Sequence, residues 1–255
     1  MSFLTRPPSY GKYKKLSVLL TQQEQDEATY LSCLAGKGKL ETASQMTISQ
    51  VKPLCRELVY LIRYFQRRHL VHAGFHPSIL LLARLNNQIY PVLNSMQSII
   101  DLEAKDAYFS RDHLVVESCP PERLKALCTT HRILPPRYNH SLTKPLMYKA
   151  DSWGLGILLF ALTQNQLPYA PSLSQAYLKT GQELLLDKMK KQIQEKLKDL
   201  NADFKTVLHG LLDFNPETRW DCERVLSSKW MLCSKPLSLE VENYLIDSIN
   251  SIEEW

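Results

Sequence analysis

The residues with the most chemical potential lie in one short run, His72-Ala-Gly74-Phe-His76-Pro-Ser78, set between apolar Leu70-Val71 and Ile79-Leu80-Leu81. His72 is a candidate base, and a packed structural histidine is the simpler reading of it. His76 can meet a phosphate, against the plainer reading of a solvated loop histidine. Gly74 has no side chain with which to accept a proton. Further on, Asn94-Ser95-Met96 offers a neutral amide oxygen, a poor substitute for a carboxylate toward magnesium.

The elements that must position this run can be read from periodicity. Thr47-Ile-Ser-Gln50 is a capping box, and Val51, Leu54, Cys55, Leu58, Leu61, Ile62 and Phe65 follow at helical spacing. This predicts a long helix leading into the loop. After the loop, Ile79 to Leu82 and Gln88 to Leu93 read as a strand pair joined by Asn86-Asn87. From Trp153 to Leu162 the chain is apolar on every side, which predicts a helix wrapped by other elements, with Asp151 at its N-cap and Asn165 near its end. Leu184, Leu185, Leu186, Met189, Ile193 and Leu197 form the apolar side of another helix, whose Lys188, Lys190, Lys191, Lys196 and Lys198 alternate with Glu183, Asp187, Glu195 and Asp199.

Three motifs in order resemble the protein kinase family. Asp151-Ser-Trp153-Gly-Leu-Gly156, closed by Leu-Pro168-Tyr169, resembles the buried central helix of the kinase C-terminal lobe. Cys119-Pro-Pro-Glu122 resembles the Ala-Pro-Glu motif that closes the activation segment, and Asn215-Pro-Glu-Thr-Arg219 resembles the Pro-x-x-Arg turn of the same lobe. By that resemblance Glu122 and Arg219 form a buried bidentate ion pair, while His72, Asp151 and Trp153 are structural. The 72–81 run then resembles His-Arg-Asp-Leu-Lys-Pro-x-Asn-Ile-Leu with one residue fewer. In that motif the Asp accepts the substrate hydroxyl proton, the Lys steadies the transferred phosphate and the Asn holds magnesium. Gly74, His76 and Ser78 stand at the matching places, and Asn94 stands where the family has the Asp of Asp-Phe-Gly.

The N-terminal side departs further. Lys14 to Leu20 reads as the last strand of a small lobe, with a dozen residues before it. No Gly-x-Gly-x-x-Gly loop and no Val-Ala-x-Lys lysine occurs, and Gly36-Lys-Gly-Lys39 is too short to cradle phosphates. The expectation is an α+β, mainly α fold: a kinase-like C-terminal lobe whose small lobe is missing or reduced. Residues 1–235 form this domain and 236–255 an acidic amphipathic tail. The irregular stretch 128–145 is either a surface insertion or a partner-binding loop. A narrower similarity links the chain to the kinase-like part of the TBC-domain pseudokinase.

The 255 residues, 44% apolar, suffice for one well-buried core. No run approaches the roughly 18 apolar residues of a membrane span, and the start lacks signal-peptide order. Six cysteines without C-x-x-C spacing read as reduced thiols of the cytoplasm, or of the nucleus. A net charge of +5 and interleaved charges point to a solvated helix face, so no nucleic-acid contact is expected. The reading at this level is a non-enzyme with no cofactor and little ATP binding: a pseudokinase that serves a protein partner as scaffold or allosteric regulator. Two alternatives are a residual or atypical serine/threonine kinase completed by another chain, and a truncated product without a settled role.

Overall fold

The computed structural model describes residues 40–42, 46–72, 74–85, 88–93, 99–103, 115–129 and 144–232. The expected strand at 14–20, the run 36–39, Asn94, most of the 128–145 connection and the 236–255 tail lie outside them.

Helix α1 (Ile48–Arg67) starts at its capping box: Gln50 N–H donates to Thr47 Oγ1 at 3.4 Å and Thr47 N–H donates to Gln50 Oε1 at 2.9 Å. Each side chain satisfies an N–H that the first turn leaves without a helical acceptor. The helix buries Val51, Leu54, Cys55, Leu58, Val59, Ile62 and Phe65. Val59 joins the expected face, and Leu61 packs only at its margin. Burying a Leu or Phe side chain contributes about 1.5–3 kcal/mol, so this face holds the helix in place far more firmly than propensity does.

After β1 (Leu40–Thr42), α1 and β2 (Leu70–Val71), a 3-10 turn (Pro77–Ile79) leads into β3 (Leu80–Leu85) and β4 (Gln88–Leu93). The sheet order is β1-β3-β4, antiparallel throughout, with Leu80 opposite Leu93 and Leu85 opposite Gln88. Strand β2 pairs antiparallel with β5 (Ile100–Asp101), Val71 facing Ile100. The two strand pairs therefore fix both ends of the 72–79 loop.

Helix α2 (Pro121–Thr129) precedes the central α3 (Lys144–Gln164), on which the core is built. Trp153, Leu155, Ile157, Leu158, Leu159, Phe160 and Leu162 are at most 2% exposed. Helix α3 begins seven residues before the N-cap predicted at Asp151 (151 minus 144). Pro145 lies in its first turn, where a missing N–H costs nothing, and Asp151 is interior because its carboxylate serves another segment. The helix ends at Asn165 in the left-handed region, φ 52°, as its position suggested.

Around α3 pack α4 (Pro171–Thr180), α5 (Glu183–Leu197), α6 (Ala202–Leu211), α7 (Cys222–Leu226) and α8 (Lys229–Leu232). Asn201 Oδ1 caps α6 through the N–H groups of Asp203 and Phe204. In α5 the buried residues are Leu186, Met189, Ile193 and Leu197, while Leu184 is 60% exposed. Leu184 was expected on the apolar side, but it lies two residues, roughly 200° of turn, from Leu186. Among the described residues no helix is long and apolar enough to cross a membrane.

Candidate active site

His72 emerges from β2 fully buried, and its backbone N–H donates to Asp151 Oδ2 at 3.0 Å. Its ring lies 4.7 Å from that of Phe75 and 6.0 Å from that of Phe65, so it is packed on both sides. Phe75 rests on α3 at Gly154, where a Cβ would lie 2.8 Å from Phe75 Cβ. A glycine is required there because backbone and ring approach closer than a methyl group allows. Asp151 and Gly154, one turn apart, thus hold the two ends of the 72–75 segment on α3. Between them Gly74 is buried.

His76 is half-buried, in extended backbone (φ −148°, ψ 151°), and caps the 3-10 turn. Its Nδ1 accepts the Ser78 N–H at 3.2 Å and lies 2.8 Å from Ser78 Oγ. Burial holds the imidazole below its ordinary pKa, and the Glu117 carboxylate pulls the other way. Ser78 is exposed.

Glu117 sits on a second 3-10 turn (Val116–Ser118) fixed by two side chains from beyond α3. Tyr169 Oη donates to the Glu117 carbonyl at 2.7 Å, and Gln175 Nε2 donates to Glu117 Oε1 at 2.8 Å. Tyr169 is 1% exposed, and burial raises its phenol far above the usual range, so it stays a donor at every accessible pH.

Beneath both turns lies Arg219, its side chain fully buried. Nη1 and Nη2 donate to Glu122 Oε1 and Oε2 at 2.7 and 2.8 Å. Nε donates to the Asp213 carbonyl at 2.8 Å and Nη1 also to the Lys149 carbonyl at 2.9 Å. Four of the five guanidinium hydrogens are thereby used, and the Trp153 ring lies 5.1 Å from Cζ. Lys149 returns the contact, Nζ donating to the Arg219 carbonyl at 2.6 Å. The charge is matched and its hydrogen bonds satisfied, the condition under which a buried ion pair is tolerated.

Of the residues singled out in the sequence, the structure brings Asp151 to His72 and Arg219 to Glu122 and Trp153. Asn94 lies outside the described residues. Glu117, Tyr169, Gln175 and Lys149 were not anticipated, and no local spacing announces them, since their partners are 52 to 70 residues away. Toward a divalent cation the described loop offers little: Gly74 has no donor, Asp151 Oδ2 is committed to His72, and the Ser78 hydroxyl is shared with His76. No cluster of three His, Cys, Asp or Glu side chains suited to a metal occurs among the described residues. These residues do not fit a magnesium ion on their own.

Comparison with known proteins places this geometry. The family described as "Protein kinase domain" matches residues 18–231. Over 134 residues the chain is 28% identical to "Serine/threonine-protein kinase ppk27" of Schizosaccharomyces pombe, covering 49% of this chain and 30% of that protein. Over 96 residues it is 31% identical to "CBL-interacting protein kinase 28" of Oryza sativa subsp. japonica, covering 37% of this chain and 20% of that one. The chain thus spans less than a third of the length of these curated relatives. Among solved structures, that of the Rad53 kinase domain and SCD2 superposes with a TM-score of 0.50 at 13% identity, covering 76% of this chain and 59% of that one, a likeness of fold. The expectation of a non-enzyme is corrected by these findings: the family match runs through the altered loop, and the curated relatives are named serine/threonine kinases. With the match spanning 18–231, the chain belongs to the protein kinase domain family.

Proposed function

We propose that this chain is an atypical serine/threonine protein kinase domain, which takes ATP and transfers its γ-phosphoryl group to a hydroxyl of a protein. The observation that carries the reading is the intact support of the 72–78 loop, pinned at His72 by Asp151 and at Phe75 by Gly154. Phosphoryl transfer depends mainly on positioning and electrostatic stabilisation, with little covalent work for the protein. Losing one general base lowers such a rate by roughly 10²–10⁴-fold without abolishing it. A domain with Gly74 in this loop is therefore expected to turn over slowly. The names of the curated relatives support the reaction class.

A second reading is favoured by Gly74 itself and by the poor fit of the loop to magnesium. In it the domain works inside an assembly, where a partner chain brings the missing carboxylate and metal-holding groups. The same contact would make the domain a scaffold or allosteric regulator of that partner.

Thermal unfolding with and without ATP and magnesium or manganese tests the nucleotide site. A ligand held only by the folded state at a hundred times its Kd stabilises by about 2.7 kcal/mol. Transfer of labelled γ-phosphate to a panel of serine and threonine peptides tests the reaction. Absence of both effects at millimolar nucleotide would overturn the reading; transfer appearing only with a co-purified partner would select the second.

A further inference from the structure

We infer that His76 is a hydrogen-bond donor to the transferred phosphoryl group, acting through Nε2–H, and is not the base that removes the hydroxyl proton. This rests on the proposed kinase reaction, but the geometry behind it is independent of any turnover. Nδ1 receives the Ser78 backbone N–H at 3.2 Å. A backbone amide can only donate, so Nδ1 must carry a lone pair, and in the neutral ring the hydrogen resides on Nε2. The tautomer is set by the cap.

Two consequences follow from the ring chemistry. With Nδ1 committed to the turn and Nε2 bearing hydrogen, no lone pair is available for a substrate proton unless the cap breaks. On the far side of the ring Nε2–H remains a donor, and no hydrogen-bond partner of Nε2 occurs among the described residues. The ring lies in the same loop as Gly74, and burial keeps it neutral at physiological pH. Glu117 is the one charged group recorded against it, approaching from the 116–118 turn. An oxygen of the phosphoryl group gains charge density during transfer, and a fixed donor aimed at it stabilises the transition state more than the ground state. Removing one such donor ordinarily lowers kcat by about 10²–10³-fold.

The test uses the full chain labelled with ¹⁵N-histidine. Long-range imidazole spectra assign His76 by its disappearance in His76→Asn, and report which nitrogen bears hydrogen. The expected result is an Nε2–H ring whose Nε2 resonance moves with AMPPNP and magnesium but not with ADP and magnesium. His76→Asn should keep the cap, since an asparagine oxygen serves the same N–H, and lower kcat by about 10²-fold with KM for ATP unchanged. An Nδ1–H ring, an equal response to ADP, or full activity in His76→Asn would overturn the assignment. If the chain binds AMPPNP with the expected response yet transfers no phosphate, the proposed reaction fails and the phosphate contact stands. No AMPPNP binding overturns both.

Discussion

Replacing Glu122 by alanine strands a guanidinium that is fully buried, and the cost can be worked from its contacts. Arg219 would lose both carboxylate bonds, at 2.7 and 2.8 Å, and keep only the Asp213 and Lys149 carbonyls. Removing one member of a buried pair costs about 3–5 kcal/mol, because the remaining charge has no compensation. The Glu122 side chain is 13% exposed, so water can reach its vacated place and the lower half of that range is expected. For a chain of this size 3–4 kcal/mol lowers Tm by about 6–16 °C. Urea unfolding should show the midpoint falling with an unchanged slope, as a native-state effect requires. Glu122→Leu with Arg219→Met removes both charges, and should be more stable than the sum of the single changes by at least about 2 kcal/mol. A loss below about 1 kcal/mol in Glu122→Ala, or strict additivity in the double variant, would refute the reasoning.

Gly154→Ala should destabilise by about 1–3 kcal/mol, because the new Cβ lies 2.8 Å from Phe75 Cβ, and should weaken nucleotide-dependent stabilisation as the loop shifts. A variant as stable as the parent would show that the loop is not seated on α3. Burial lowers the pKa of His76 and of His209 in the folded state. Their contribution is complete above the ordinary histidine value near 6.5, declines as pH falls from there toward the folded pKa, and is then exhausted. Urea midpoints should therefore drop on acidification through this window, and His76→Asn should flatten the drop; an unchanged pH slope would sink the attribution. Cys119 is 1% exposed and its thiol is pushed up to about 12, so in the native chain at pH 8 it should resist iodoacetamide and react only after unfolding. Mass spectrometry showing prompt native labelling at Cys119 would contradict its burial.

Local rules made parts of this molecule legible. The Thr47 capping box and the period of seven apolar positions located α1, and the all-round apolar run located α3 as a buried helix with its end at Asn165. The strand pair was found with β4 correctly bounded. Tertiary contacts decided what local rules could not. Asp151 resembles an N-cap in sequence, yet its acceptor is used by a backbone N–H 79 residues away. The pairing of Glu122 with Arg219 was suggested by resemblance, since nothing in a spacing of 97 residues indicates it. Glu117 was passed over because its holders, Tyr169 and Gln175, come from segments that meet only after α3 is packed. The non-enzyme reading gave decisive weight to the side chain lost at Gly74. Catalysis that relies on positioning is less sensitive to one missing group, and the family match covers the loop as a whole.

The Arg219 guanidinium holds α2 through Glu122 and α3 through the Lys149 carbonyl, so both helices bordering residues 130–143 are moored to one side chain. The distance that this connection must bridge is set by those moorings and not by the connection itself. Under such a constraint, doubling the length of a flexible connection adds only about 0.6 kcal/mol of closure entropy. Evolution can lengthen, shorten or rewrite 130–143 at small thermodynamic expense, which makes it the place in this chain where new sequence is most easily accepted.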